Sequence, residues 1–218
     1  MRDKDTSLKE KFRLALTSTA KVISDDFELN NKSSDKKQSK DLNIIKIDEL
    51  NNPSDFIKLR AETDSAALKK KFSNDLIYKK NLPSNTSSKS LYNIAEKIRY
   101  EALGGKMLKG IEKNFNENYT QIINRKRKDQ LKTKEDVLVT EAFELYMLKN
   151  FHQIKLSPLT SRMLNFWEKD FEKSIDKHKN FLQENLEDQN IYSLRFSQIL
   201  EEMDIFQNDE NDEKKEEN

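Results

Sequence analysis

The chain has 218 residues, and its 40 Lys and Arg nearly cancel its 39 Asp and Glu, leaving a net charge of +1. No global field therefore draws it to nucleic acid or to an anionic membrane. It has no cysteine, which excludes disulfides, thiolate zinc sites and a cysteine nucleophile and suits a reducing cytosol. Twelve Phe, six Tyr and one Trp supply large side chains for a core. The length fits one large domain or two small ones. No apolar stretch follows the N-terminus as a signal peptide would, and no run of about 18 apolar residues exists. The expectation is a cytoplasmic protein with neither a membrane nor a nucleic-acid partner.

Only three Gly and three Pro occur, too few turns for an all-β chain. Helical spacing prevails instead. Leu8, Phe12, Leu16, Ala20 and Ile23 predict a first helix over 7–24. Polar residues 30–41 read as a mobile loop. The β-branched string 42–47 and the short piece 27–29 leave open one small β-hairpin. Pro53-Ser54 opens a second helix, whose stripe runs Ile57, Ala61, Ser65, Leu68, Phe72 and Leu76 until Asn81-Leu82-Pro83. A third starts near Ser87 with Leu91, Ile94, Ala95, Ile98 and Ala102, and Gly104-Gly105 reads as its C-terminal cap. A fourth follows from about Lys106 with Met107, Ile111, Phe115, Tyr119 and Ile122, making a tight αα-hairpin.

After a basic connector, 124–128, Thr133-Lys-Glu-Asp136 resembles a helix start. The next helix bears Leu138, Val139, Ala142, Phe143, Leu145, Tyr146 and Leu148, and so wide an apolar face predicts a central place. Ser157-Pro158 opens one long helix with Met163, Trp167, Phe171 and Phe181/Leu182. A last helix over 189–203 carries Tyr192, Phe196, Ile199 and Met203. The fold class is mainly α: a multi-helix bundle over 1–206, followed by a disordered acidic tail over 207–218.

Patterns that carry chemistry are few. Gly104-Gly105-Lys106 lacks the spacing of a phosphate loop, and no Gly-x-Ser-x-Gly or His-Glu-x-x-His occurs. His152 and His178 read as surface or rim histidines. Arg60 and Asp64, four apart, can pair on one helix face. The cluster 125–128 lacks interleaved aromatics and reads as a solvated connector, with a helical nucleic-acid binder as the weaker alternative. Composition and spacing stop at a helical interaction module with no catalytic, cofactor or metal site of its own.

Four strings go further. They are Phe12-Arg-Leu-Ala-Leu-Thr-Ser-Thr-Ala-Lys-Val-Ile23 with Asp25/Asp26 and Glu28-Leu29; Arg60-Ala-Glu-Thr-Asp64-Ser65-Ala-Ala67-Leu68; Leu91-Tyr92-Asn-Ile-Ala-Glu96-Lys-Ile-Arg99-Tyr-Glu101-Ala102-Leu-Gly104 with Met107, Gly110 and Asn114; and Glu187-Asp188-Gln189 with Tyr192 and Met203. In this order they resemble the N-terminal region of the CobT family, the T subunits of aerobic, ATP-dependent cobaltochelatases. The chain departs from relatives that carry a Cys-His pair and a further His after the second string. Here Phe72-Ser-Asn-Asp75 and Tyr78 stand there, which counts against a metal role through those positions. The acidic linker and von Willebrand A-type domain of full family members are not in these 218 residues, so the chain looks like the N-terminal part of such a protein.

The resemblance implies a non-catalytic subunit of the complex that inserts Co²⁺ into hydrogenobyrinic acid a,c-diamide. ATP, Mg and Co are used by the complex rather than by this chain. Its partners would be the AAA+ ATPase subunit and the large corrin-binding subunit, in a ring assembly. An AAA+ adaptor serving another client is the alternative. The residues the resemblance points to, as interface or structural motif, are Arg60, Asp64, Ser65, Arg99, Glu101, Gly104, Met107, Glu187, Asp188 and Gln189. These residues are equally suited to pairing with one another and fixing helix packing.

Overall fold

A computed structural model describes residues 2–28, 52–125 and 133–203. These form α1 (Arg2–Ser24), α2 (Pro53–Phe72), α3 (Asp75–Lys80), α4 (Thr86–Met107), α5 (Lys109–Arg125), α6 (Val139–Phe151), α7 (Pro158–Asn165), α8 (Glu168–Ile175), α9 (Lys179–Glu184) and α10 (Gln189–Glu201), with 3-10 turns at Lys134–Asp136 and Asp176–His178. The fold is helical, and no strand occurs among the described residues. Phe27 lies in a turn. The strings 28–29 and 42–47, the loop 30–41, the acidic tail and most of the basic connector were read from sequence; apart from Glu28 they fall outside the described residues.

Helix α1 ends where Asp25 takes a left-handed φ of 55°, a conformation Asp tolerates better than bulkier residues. Asp25 and Asp26 pair with Lys71 and Lys70 at the end of α2. At the other end Phe12 meets Phe56 edge-on, with centroids 5.0 Å apart. The two helices therefore run in the same direction. Leu16 and Leu59 bury between them in a small cluster apart from the main core.

Helix α4 is the hub. It packs against α2, α5, α6 and α10, and Leu91, Tyr92, Ala95 and Ile98 vanish into the core. α6 is also buried on a wide face, from Ala142 to Leu148, as its sequence predicts. Each such large side chain contributes roughly 1.5–3 kcal/mol when fully buried. This offsets the weak intrinsic stability of helices so rich in charge.

Several boundaries differ from the sequence reading, each for a local reason. The second helix does not run on to Asn81. It stops at Phe72, whose carbonyl accepts a hydrogen bond from Arg99 at 2.6 Å, and Asn74 caps α3 by accepting from the amides of Leu76 and Ile77. Leu76, expected in the core stripe, is 78% exposed. Gly104-Gly105 does not cap α4, which continues through both to Met107 with no positive φ at either. Gly104 is instead a close-packing residue, because a Cβ there would lie 2.3 Å from Leu68 Cδ1. The expected long helix after Pro158 is broken into α7, α8 and α9. At the first break Trp167 turns its indole to donate to the Val137 carbonyl at 3.1 Å and stacks on Phe171. Thr133 caps a 3-10 turn rather than α6 itself.

Candidate functional site

The middle of α4 places polar side chains on its buried face. Glu96 and Arg99, three apart, fall on the same side as Tyr92 and Ala95, so they enter the core with their apolar neighbours. Arg99 is fully buried, and its guanidinium donates to the Leu186 carbonyl at 2.9 Å and to the Phe72 carbonyl at 2.6 Å. Its Nε lies 3.3 Å from Glu96 Oε1. The Glu96 carboxylate also accepts from Ser193 Oγ at 2.6 Å and Gln189 Nε2 at 3.0 Å, both on α10. The Gln189 carbonyl in turn accepts the Asn74 amide at 2.6 Å. One buried ion pair thus fastens the end of α2, the start of α3 and the start of α10 to the hub helix. Removing either charge would strand the other, the costly case for buried pairs.

A second network lies one turn further along. Glu101 accepts from Ser65 Oγ at 2.5 Å and from Tyr119 Oη at 2.5 Å. Burial, the largest influence, raises its carboxyl above the usual range against the opposing pull of Lys97 and these two hydrogen bonds. The His152 ring sits against Phe115 and Tyr119 with Nε2 4.0 Å from Glu101 Oε2. Burial, assisted by Lys97, lowers its pKa to about 4, so the contact joins a neutral imidazole to a carboxyl and is not an ion pair at neutral pH. The sequence placed His152 at a surface or rim; the ring is instead inside, because it continues the buried side of α6 one turn beyond Leu148. Nearby, Asp64 is buried, accepts from Asn114 Nδ2 at 2.7 Å and is raised by burial, with Asn114 and Arg60 opposing.

Of the residues singled out from sequence, Asp64, Ser65, Arg99, Glu101, Gly104 and Gln189 are buried and engaged within the chain. Asp188 is exposed and caps α10 by accepting from Ile191 at 3.0 Å. Arg60, Met107 and Glu187 face outward. Glu96, Asn114, Tyr119 and Ser193 join the networks; spacing placed Tyr119 on the stripe of the fourth helix, Glu96 and Asn114 stood in the third string, and Ser193 was not singled out. A usable signal was Glu96 standing in the cleanest apolar stripe, where a solvated residue does not belong. Tyr78 packs on the Tyr92 ring at 5.3 Å. A shallow groove of about 470 Å³ runs along the outer face of α5, from Lys109 past Lys113 and Asn116 to Gln121, walled by Ile57. No group of three or more His, Asp or Glu is placed to hold a metal among the described residues. No helix there is long and apolar enough to cross a membrane.

Residues 6–218 match the family model described as cobalamin biosynthesis protein CobT. The chain belongs to the CobT family. Membership ties it to cobalamin biosynthesis. No curated protein and no solved structure matches the chain. Two of the CobT-like strings, at 60–68 and 91–104, supply Ser65, Glu96, Arg99, Glu101 and Gly104, and a third supplies Gln189. In this CobT chain the strings therefore meet in the interior, where they tie α2, α4 and α10 together.

Proposed function

We propose that this CobT-family chain is a non-catalytic subunit of the ATP-dependent cobaltochelatase, which inserts Co²⁺ into hydrogenobyrinic acid a,c-diamide, and that it docks on the AAA+ ATPase subunit. In this reading the ATPase subunit hydrolyses ATP with Mg²⁺, the large subunit holds corrin and cobalt, and this chain links them in a ring assembly. The observation that carries the reading is where the family strings go. Their buried members, Ser65, Glu96, Arg99, Glu101, Gly104 and Gln189, fasten helices together, as suits a part that transmits position. What remains outside is a set of helix faces and a hairpin tip, the raw material of a docking surface.

The test is a pull-down of the full chain with the AAA+ ATPase subunit from the same organism, with and without ATP, together with deletion of its gene in a strain that makes cobalamin. Association, and loss of cobalamin on deletion, are the expected results. No association in either nucleotide state would count against the docking, and unchanged cobalamin production would remove the chelatase role.

A further inference from the structure

We infer that the α4–α5 tip, residues 105–110, is the element that engages the ATPase subunit, by seating Met107 and Leu108 in an apolar pocket rimmed with carboxylates on that subunit. The inference rests on the docking reading above and deepens it. Met107 and Leu108 are adjacent large apolar side chains, 40% and 46% exposed, at the turn between two helices. They stand on a fixed base. Just inside the tip, Leu103 and Ile111 are buried, and Gly104 is pressed against Leu68. A partner meeting this tip need not order it first, which saves the entropy that flexible loops lose on binding.

Charge indicates the partner's chemistry. Lys106 and Lys109 flank the two apolar residues, both exposed, and neither has an acidic partner within 4.0 Å among the described residues. A surface that buries Met107 and Leu108 must accommodate two ammonium groups at its rim, and carboxylates do so best. The glycines form an independent observation. A Cβ at Gly110 would meet nothing within 4 Å, one at Gly105 would make only ordinary contact at 3.5 Å with Glu112, and neither φ is positive. Nothing among the described residues requires glycine at these two helical positions, where it is less favourable than alanine. Backbone bare of side chains on both sides of the apolar pair lets another surface approach closely. The α5 groove, which begins at Lys109, extends the available footprint beyond the tip.

The experiment measures affinity of the full chain for the purified ATPase subunit, in ATP, by biolayer interferometry. Three proteins are compared: wild type, Met107→Ser with Leu108→Ser, and Ile191→Ser with Leu194→Ser on the exposed face of α10. Circular dichroism melts check that each is folded. The tip variant is expected to bind at least ~10-fold more weakly and the α10 variant like wild type. Reversing Lys106→Glu and Lys109→Glu is expected to weaken binding and flatten its decline with salt. If wild type binds and a folded tip variant binds equally well, the tip inference is overturned while the docking reading stands. If wild type does not bind with or without ATP, both fall.

Discussion

Helix α4 contains two regions that treat polar and apolar residues in opposite ways. Along 96–104 it takes an arginine, two glutamates and a glycine into the core and gives each charge several partners. From 105 onward it carries glycine, lysine and an exposed methionine into a turn that buries little. The same helix is thus over-determined in the middle and unencumbered at its end. Interior polar groups held by several partners fix one arrangement of the surrounding helices, although Arg99 Nε has only its ion-pair contact with Glu96. A tip that the rest of the fold does not need is free to serve contact with another molecule.

Mutations can break this contrast. The largest effect is expected at Arg99→Met. It strands the Glu96 carboxylate and leaves the Phe72 and Leu186 carbonyls unpaired, at a cost of about 3–5 kcal/mol, measured by urea denaturation. His152→Met tests the second network through pH. The folded-state pKa of His152 is depressed from 6.5 to about 4, so the unfolded chain binds the proton more readily. Its contribution is fully present above pH 6.5 and is lost as pH falls from there towards 4, about 3 kcal/mol in all. Glu101, raised by burial, acts with the opposite sign, its stabilisation declining as pH rises from 4.5 through its elevated value. Glu101 is present in both proteins but lies 4.0 Å from His152, so the difference between variant and wild type reports the pair. Denaturation at several pH values should show the variant gaining on wild type as the solution is acidified. A parallel pH profile in the two proteins would remove the buried imidazole from the account.

Gly104→Val asks whether the glycine is there for room. It forces a side chain into buried Leu68 and is expected to cost about 1–3 kcal/mol. The smallest effects belong to the exposed positions. Met107→Ser with Leu108→Ser, and Leu76→Ser, should each change stability by within about 0.5 kcal/mol, read from thermal melts. A large loss at Met107 and Leu108 would make the tip part of the core and erase the contrast.

Much of the helical architecture was legible in the residues. Spacing of three and four positions marked α1, the body of α2, α4, α5, α6 and α10, since that pattern is set by local geometry. The breaks were harder to read. α2 ends because Arg99, 27 positions away, takes the Phe72 carbonyl, and the helix after Pro158 breaks where Trp167 reaches Val137, 30 positions away. Asn74, a residue type suited to an N-cap, was a local sign of the first break; local sequence around 167 carries no sign of the second.

The residues of the networks divide in the same way. Glu101 and Ser65 stood out through their strings, but Ser193 and His152 acquire their meaning only from partners brought in by the fold. Ser193 bonds Glu96 from 97 positions away. Sequence by itself determined that the chain is helical, which stripes are oily and how its charges balance, because those properties depend on residues within a turn or two of one another. Only the tertiary structure selected which polar residues go inside. Burying a charge is tolerated solely where distant segments converge to satisfy it, and that convergence is a property of the assembled helices.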